Sequence, residues 1–224
     1  MSEVKAKLDE AEQKAEQLFF AVESQGLIAP GKTEKEVNQE IFELANKMFG
    51  IEKYWHKRIV RAGENTLHPY DENPPNLTIQ EDDIVFVDFG PIFEEYEADF
   101  GRTYVLGSDE QKHTLKRDIE DAWYEAQEWY LQHTYITGAE FYKYLQILAK
   151  RLGWEFGGEI GGHLIGKFPH ERIEPDKYQL YVHPENHNDM MGKDVNGNKR
   201  HWVLEIHFVN REKKIGGFFE QIMC

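Results

Sequence analysis

Cysteine is almost absent: Cys224 is the only one, and it stands at the last position. No internal disulfide can form and no thiolate cluster is available, so any metal bound here must be held by His, Asp and Glu. Long apolar runs are missing too. Nothing approaches the about 18 consecutive apolar residues of a spanning helix, and the opening "MSEVKAKLDEAEQK" is charged from its third residue, without the apolar core of a secretion signal. Positive charge is in short supply: 26 Lys and Arg face 41 Asp and Glu, a formal net charge of -15. Such a field repels phosphate backbones and anionic lipid, which excludes nucleic acid and membranes as partners. Low-complexity sequence is also lacking. A soluble, cytoplasmic protein is the expectation.

What is present is material for a core. A chain of 224 residues buries roughly two thirds of its unfolded surface, as one domain or two closely packed halves. Val4, Leu8, Ala11, Ala15, Leu18 and Val22 recur at helical spacing, and Pro30 with Gly31 is expected to close that helix. Thr33 with Glu36 forms a capping box that opens a second helix bearing Val37, Ile41, Leu44 and Met48. The order returns later. Leu115, Ile119, Ala122, Ala126 and Trp129 mark a long helix, then Thr137 and Glu140 cap another that carries Phe141, Leu145, Leu148 and Leu152. The chain therefore reads as two similar halves, about 1–107 and 108–224, each a long helix, a capped helix and strands. Residues 174–200 are a long polar insertion, either a lid over a site or a surface excursion.

Acids in the strands carry the chemistry. Asp88 interrupts the β-rich run "DIVFVDF", where Asp is disfavoured because its side chain competes for backbone hydrogen bonds. A hairpin turning about Phe93 and Glu94 sets Asp88 opposite Asp99. The second half repeats the device: Glu205 in "HWVLEIHFV" and Glu220 in "IGGFFEQIM" become opposite partners about a turn at Glu212 and Lys213. Four buried carboxylates without counter-charge are forced to protonate or cost many kcal/mol. Two divalent cations cancel them. Each acid alone reads equally as a solvated strand position or salt bridge; the matching pairs favour a metal site. A nitrogen ligand is expected from "EFGGEIGGHLIGKFPHE", which offers His163 in a glycine-rich stretch and His170 seven residues on.

Together "VFVDFG", "ADFGRTY", "GGHLIGKFPHE", the acid of "LEIHF" and the terminal "FFEQ" resemble the M24 metallopeptidases, the pita-bread family of methionine aminopeptidases, aminopeptidase P and prolidase. The resemblance implies an α+β pita-bread fold, two pseudo-symmetric helix-plus-hairpin halves around a curved antiparallel sheet. It also implies two divalent ions, Mn, Co, Fe or Zn. Asp88 would chelate one, Asp99 and Glu220 would bridge both, and His163 and Glu205 would bind the other. "RAGENTLHPY" resembles the substrate-side segment of aminopeptidase P and prolidase and assigns substrate positioning to His68. His170 would contact the scissile carbonyl oxygen, Glu205 would carry the proton, and Arg102 would support the Asp99 hairpin or be an ordinary surface arginine. The implied activity is hydrolysis of an N-terminal peptide bond, with Xaa-Pro favoured, on short peptides or other small molecules.

Departures leave alternatives open. Ile206 follows Glu205 where the family usually has proline, and "HERIEP" delays its proline to Pro175. His207 shares a strand face with Glu205, as a polar wall contacting substrate, a rim ligand or a hydrogen-bonded sheet histidine. The N-terminal domain of many relatives is expected to be missing, and the chain stops four residues after Glu220. Any homodimer would then use other surfaces. A hydrolase or lyase of a small non-peptide metabolite and a non-catalytic binding protein on the same fold are the competing readings.

Overall fold

The computed structural model describes residues 2–171 and 177–224. Ser2 caps α1 (Glu3–Ser24) by accepting from the Lys5 amide, and Leu8, Ala11, Ala15, Leu18, Phe19 and Val22 form its buried stripe. The helix stops at Ser24 with Gln25 as cap, ahead of the Pro30–Gly31 pair expected to close it. In α2 (Glu34–Phe49) the Thr33 hydroxyl accepts from the Glu36 amide while the Glu36 carboxylate accepts from the Thr33 amide. That reciprocal cap contributes about 1 kcal/mol. Strands follow: β1 (Ile59–Ala62), then after a 3-10 turn at Gly63–Leu67, β2 (Ile84–Phe89), β3 (Ile92–Phe93), β4 (Tyr96–Glu97) and β5 (Phe100–Val105). The second half repeats this with α3 (Glu110–Leu131) and α4 (Gly138–Leu152), the latter opened by the Thr137–Glu140 box. Its strands are β6 (Glu155–Phe156), β7 (Gly162–Ile165), β8 (His201–Asn210) and β9 (Ile215–Ile222). Among the described residues no helix is long and apolar enough to cross a membrane.

All strands but β3 and β4 join one antiparallel sheet in the order β1-β2-β5-β9-β8-β6, with β7 also on β8. Successive side chains leave a strand on opposite faces. On one face, Val85, Val87, Phe89 and Phe100 pack with α1 and α2, while Leu204, Ile206, Phe208 and Phe219 pack with α3 and α4. Each fully buried Leu, Val or Phe of these clusters contributes roughly 1.5–3 kcal/mol. The alternate residues, Phe86, Asp88, Glu205, His207, Phe218 and Glu220, turn to the other face and line a cavity there. Register aligns the acids: Asp88 faces Gly101, Gly101 faces Glu220, and Glu220 faces Glu205, one row across four strands.

The Glu205–Glu220 pairing is the expected one. The first hairpin differs. β3 and β4 pair Ile92 with Glu97 and Phe93 with Tyr96, so the chain reverses at Glu94 and Glu95, and Asp88 meets Gly101 instead of Asp99. Glu94 takes the left-handed conformation that this tight reversal needs, φ 57°. Asp99 lies in the break between β4 and β5, off the ladder, two positions before Gly101 of the row of acids.

The halves meet where β5 and β9 share one ladder pair. Side chains strengthen that seam: Arg102 Nη1 donates to the Gly101 and Glu220 carbonyls at 2.8 Å each, and Thr103 Oγ1 donates to the Phe218 carbonyl and accepts from its amide. The Arg102 guanidinium also lies 3.7 Å from the Phe100 ring centre and 3.8 Å from that of Phe219. Arg102 thus ties β5 to β9, a contact across the seam and not to Asp99 itself. Of the insertion at 174–200, residues 174–176 lie outside the described residues. The remainder is anchored: Val182 and Met190 are buried in the core, the Asn186 carbonyl accepts from Ala139, and Tyr178, Tyr181 and His183 form one wall of the cavity.

Candidate metal centre

Asp99 stands at the middle of the site, 2% exposed. His163 Nε2 lies 2.9 Å from its Oδ2, and His56 Nε2 lies 3.0 Å from its Oδ1. Asp88 Oδ1 is 3.6 Å from His56 Nε2, and Glu220 Oε1 is 3.9 Å from His163 Nε2. Two ligand groups result, His56–Asp88–Asp99 and Asp99–His163–Glu220, each with its donor atoms within 4.8 Å of one another. Glu205, opposite Glu220 on the next strand, completes the row and borders the cavity. All five expected metal residues, Asp88, Asp99, His163, Glu205 and Glu220, therefore converge on one cavity of about 520 Å³.

The residues fit divalent ions. Asp88 Oδ1, Glu205 Oε1 and Glu220 Oε2 are buried without a hydrogen-bond partner, an arrangement that costs several kcal/mol per ionised oxygen unless a cation neutralises it. Burial, followed by neighbouring acids, pushes Asp88 and Glu205 up to about 7 and about 8, and Glu220 rises in the same direction for the same reasons. Burial would raise Asp99 as well, but His56 and His163 on either side outweigh it and hold its carboxyl below the usual range. Those imidazoles in turn overcome their own burial through Asp99 and rise to about 9. A bound cation would take the place of these protons, because metal ligands must give up their protons to bind.

The remaining expected residues divide. His68 lines the cavity mouth, half-exposed, with Nδ1 on Glu72. Buried Arg61 holds that rim by donating to the carbonyls of His68, Pro69 and Glu72. His207 is the hydrogen-bonded sheet histidine: Nε2–H donates to the Thr66 carbonyl at 2.8 Å, and burial depresses it to about 4. It walls the cavity without offering that nitrogen to an ion. His170 is held in place by Glu97. Glu97 is 1% exposed and needs partners: His170 supplies its backbone amide to Oε1 and its ring Nδ1 to Oε2, and the Gly166 amide donates to Oε2 as well. The ring packs edge-on to Trp55 and is not among the cavity-lining residues.

His56 carries no signal in the sequence motifs. It sits in the irregular segment between α2 and β1, which has neither period nor motif, and its partner Asp99 lies 43 positions away. The pair Trp55–His56 ahead of a β-run offered the only hint.

A model of metallopeptidase family M24 matches residues 6–195. The chain belongs to this family. Among curated relatives, an Xaa-Pro dipeptidase of Pyrococcus horikoshii is 30% identical over 142 residues, 62% of this chain and 38% of that one. An Xaa-Pro dipeptidase of Pyrococcus furiosus is 33% identical over 100 residues, 45% and 27% of the two chains. The matches thus span well under half the length of those relatives. Among solved structures, the prolidase of Pyrococcus horikoshii superposes with TM-score 0.75 at 21% identity, over 99% of this chain and 59% of that one. A methionine aminopeptidase of Thermotoga maritima gives 0.71 at 18% identity, over 97% and 90%. These M24 likenesses establish the pita-bread fold.

Proposed function

We propose that the chain is a dinuclear metal-dependent exopeptidase that hydrolyses an N-terminal peptide bond, with Xaa-Pro substrates favoured. The observation that carries this reading is the set of buried, unpartnered oxygens on Asp88, Glu205 and Glu220 around Asp99. Asp88, Asp99, His163, Glu205 and Glu220 would hold the pair of ions, and an oxygen-rich set of this kind suits Mn²⁺, Fe²⁺ or Co²⁺. When bound, such ions lower the pKa of water and polarise a carbonyl. Glu205, on the cavity wall opposite Glu220, would also pass the proton to the leaving nitrogen.

Substrate selection falls to the walls. Ile59, Phe86 and Phe218 give the cavity an apolar side that suits a pyrrolidine ring, and His68 stands at the mouth where a substrate enters. The relatives named Xaa-Pro dipeptidase support the same choice. The reading includes manganese as resident ion and a cytoplasmic setting, in keeping with the single cysteine. Metal analysis of the purified protein, then Mn²⁺-supplemented assays on Xaa-Pro and Met-terminated peptides, tests it. Two ions with Xaa-Pro cleavage support the proposal. Two ions without peptide cleavage favour a non-peptide substrate, and a metal-free, inactive protein favours a binding role; either overturns it.

A further inference from the structure

We propose that His56 is a metal ligand, so that each ion of the pair takes one imidazole, His56 beside Asp88 on one and His163 beside Glu220 on the other. The inference rests on the dinuclear reading above and adds to the five-residue set a sixth donor from outside the sheet.

The two imidazoles are held alike. His163 Nδ1–H donates to the carbonyl of the next residue, Leu164, at 2.9 Å, and His56 Nδ1–H donates to the carbonyl of its own next residue, Lys57, at 2.8 Å. A ring whose Nδ1 is committed to a carbonyl presents Nε2 as its lone-pair nitrogen, the tautomer that metal-ligating histidines adopt. The two Nε2 atoms then address the two oxygens of Asp99, one each. Next to His56 lies Asp88 Oδ1, one of the buried oxygens without a hydrogen-bond partner. An ion among His56 Nε2, Asp88 and Asp99 Oδ1 satisfies that oxygen. A histidine that merely filled space would leave it unsatisfied.

The position is built for this ring. The loop carrying His56 is tied across the end of β2 by Trp55 N to the Gly90 carbonyl and Ile92 N to the Lys53 carbonyl, each 3.0 Å. Gly90 makes the approach possible, because a Cβ there would lie 2.1 Å from His56 Cδ2 and 2.3 Å from its Nε2. The His56 side chain is 7% exposed, with the Trp55 ring against it at 4.5 Å and that of Tyr70 at 5.8 Å. A buried ring in one tautomer, fixed on three sides, is the arrangement that gives a ligand geometric precision.

A second imidazole changes the donor balance. It gives each ion one nitrogen among carboxylate oxygens, a set that admits Mn²⁺ beside Fe²⁺ and Co²⁺. The test uses Co²⁺ alone, added to the purified full chain. X-ray absorption of the wild type loaded with two Co²⁺ is expected to show one imidazole per ion. In His56→Ala the average falls to one imidazole per two ions, and calorimetry shows one of the two sites weakened at least about tenfold, with circular dichroism unchanged. His56→Gln separates ligation from simple support of Asp99. An amide can still donate to Asp99, so full affinity in that variant would make His56 a positioning residue and overturn the proposal. One imidazole per two ions in the wild type would also overturn it while leaving the dinuclear reading intact. Failure of the wild type to bind Co²⁺ would overturn both.

Discussion

Glu205→Gln is predicted to have opposite effects on the metal-free and metal-loaded protein. In the folded chain Glu205 is raised from 4.5 to about 8, chiefly by burial and then by Asp88 and Asp99, against the opposing charge of His163. Between those values the folded state keeps a proton that the unfolded state has released. Metal-free stability from this group is therefore full below pH 4.5 and declines as pH rises toward 8. Each pH unit costs about 1.4 kcal/mol, so by pH 7 the wild type has lost about 3 kcal/mol, an upper bound because water in the cavity screens the charge. The glutamine variant has no proton to lose. In EDTA at pH 7 it should be more stable by up to that amount, or roughly 6–12 °C in melting temperature for a chain of this size. Divalent ions reverse the order. At a hundredfold excess over Kd, each site adds about 2.7 kcal/mol to the wild type, and the variant forfeits most of this. Urea denaturation across pH 4.5–8 in EDTA, and melting with and without Mn²⁺, measure both limbs. Parallel wild-type and variant curves in EDTA, or an equal gain from Mn²⁺, would refute the reasoning.

Further expectations concern the surroundings of the site. His207 is held at about 4 against an ordinary 6.5, so its contribution is complete above pH 6.5 and is lost as pH falls toward 4. The loss amounts to about 3 kcal/mol, and His207→Gln should flatten that limb of the urea-midpoint profile. Arg102→Met removes the donors to Gly101 and Glu220 and the cation over Phe100 and Phe219. A loss of about 3–5 kcal/mol is expected by urea titration, and one under about 1 kcal/mol would show that the seam does not depend on it. Gly101→Ala would place a Cβ 2.5 Å from Phe218 Cδ1 and 3.0 Å from Glu220 Cβ, inside the row of acids. Calorimetry should find Mn²⁺ affinity down at least about tenfold with the helical signal retained. Asp99→Ala should abolish Mn²⁺ binding outright, and retained stoichiometry would remove Asp99 from the centre.

Legibility followed the regularity of the chain. Both capping boxes and all four helices follow from local signals, because caps and period 3.6 act within a few residues. The Glu205–Glu220 register was readable since β8 and β9 run unbroken to their turn, and counting outward from Glu212 and Lys213 is then sufficient. The same counting failed at Asp88. The short β3–β4 ladder and the break at Asp99 shift the pairing to Gly101, and no pattern in "GPIFEEYEADFG" announces where pairing stops. Asp99 reaches the site regardless, because the break directly precedes β5, an interior strand whose Gly101 lies in the row of acids. His170 is marked by motif, but its orientation by the buried carboxylate of Glu97 is a tertiary contact that spacing does not carry. His56 is the converse, a site residue without periodic context, placed by loop ties to Lys53 and Gly90 that exist only in three dimensions.

Anomalous diffraction from crystals of the full chain grown with Mn²⁺ tests the central claim most directly. Two anomalous peaks flanking the Asp99 carboxylate, with Asp88, His163, Glu205 and Glu220 as neighbours, are predicted. Well-ordered crystals at saturating Mn²⁺ with no peak in this cavity, or with ions bound only elsewhere on the surface, would contradict the account.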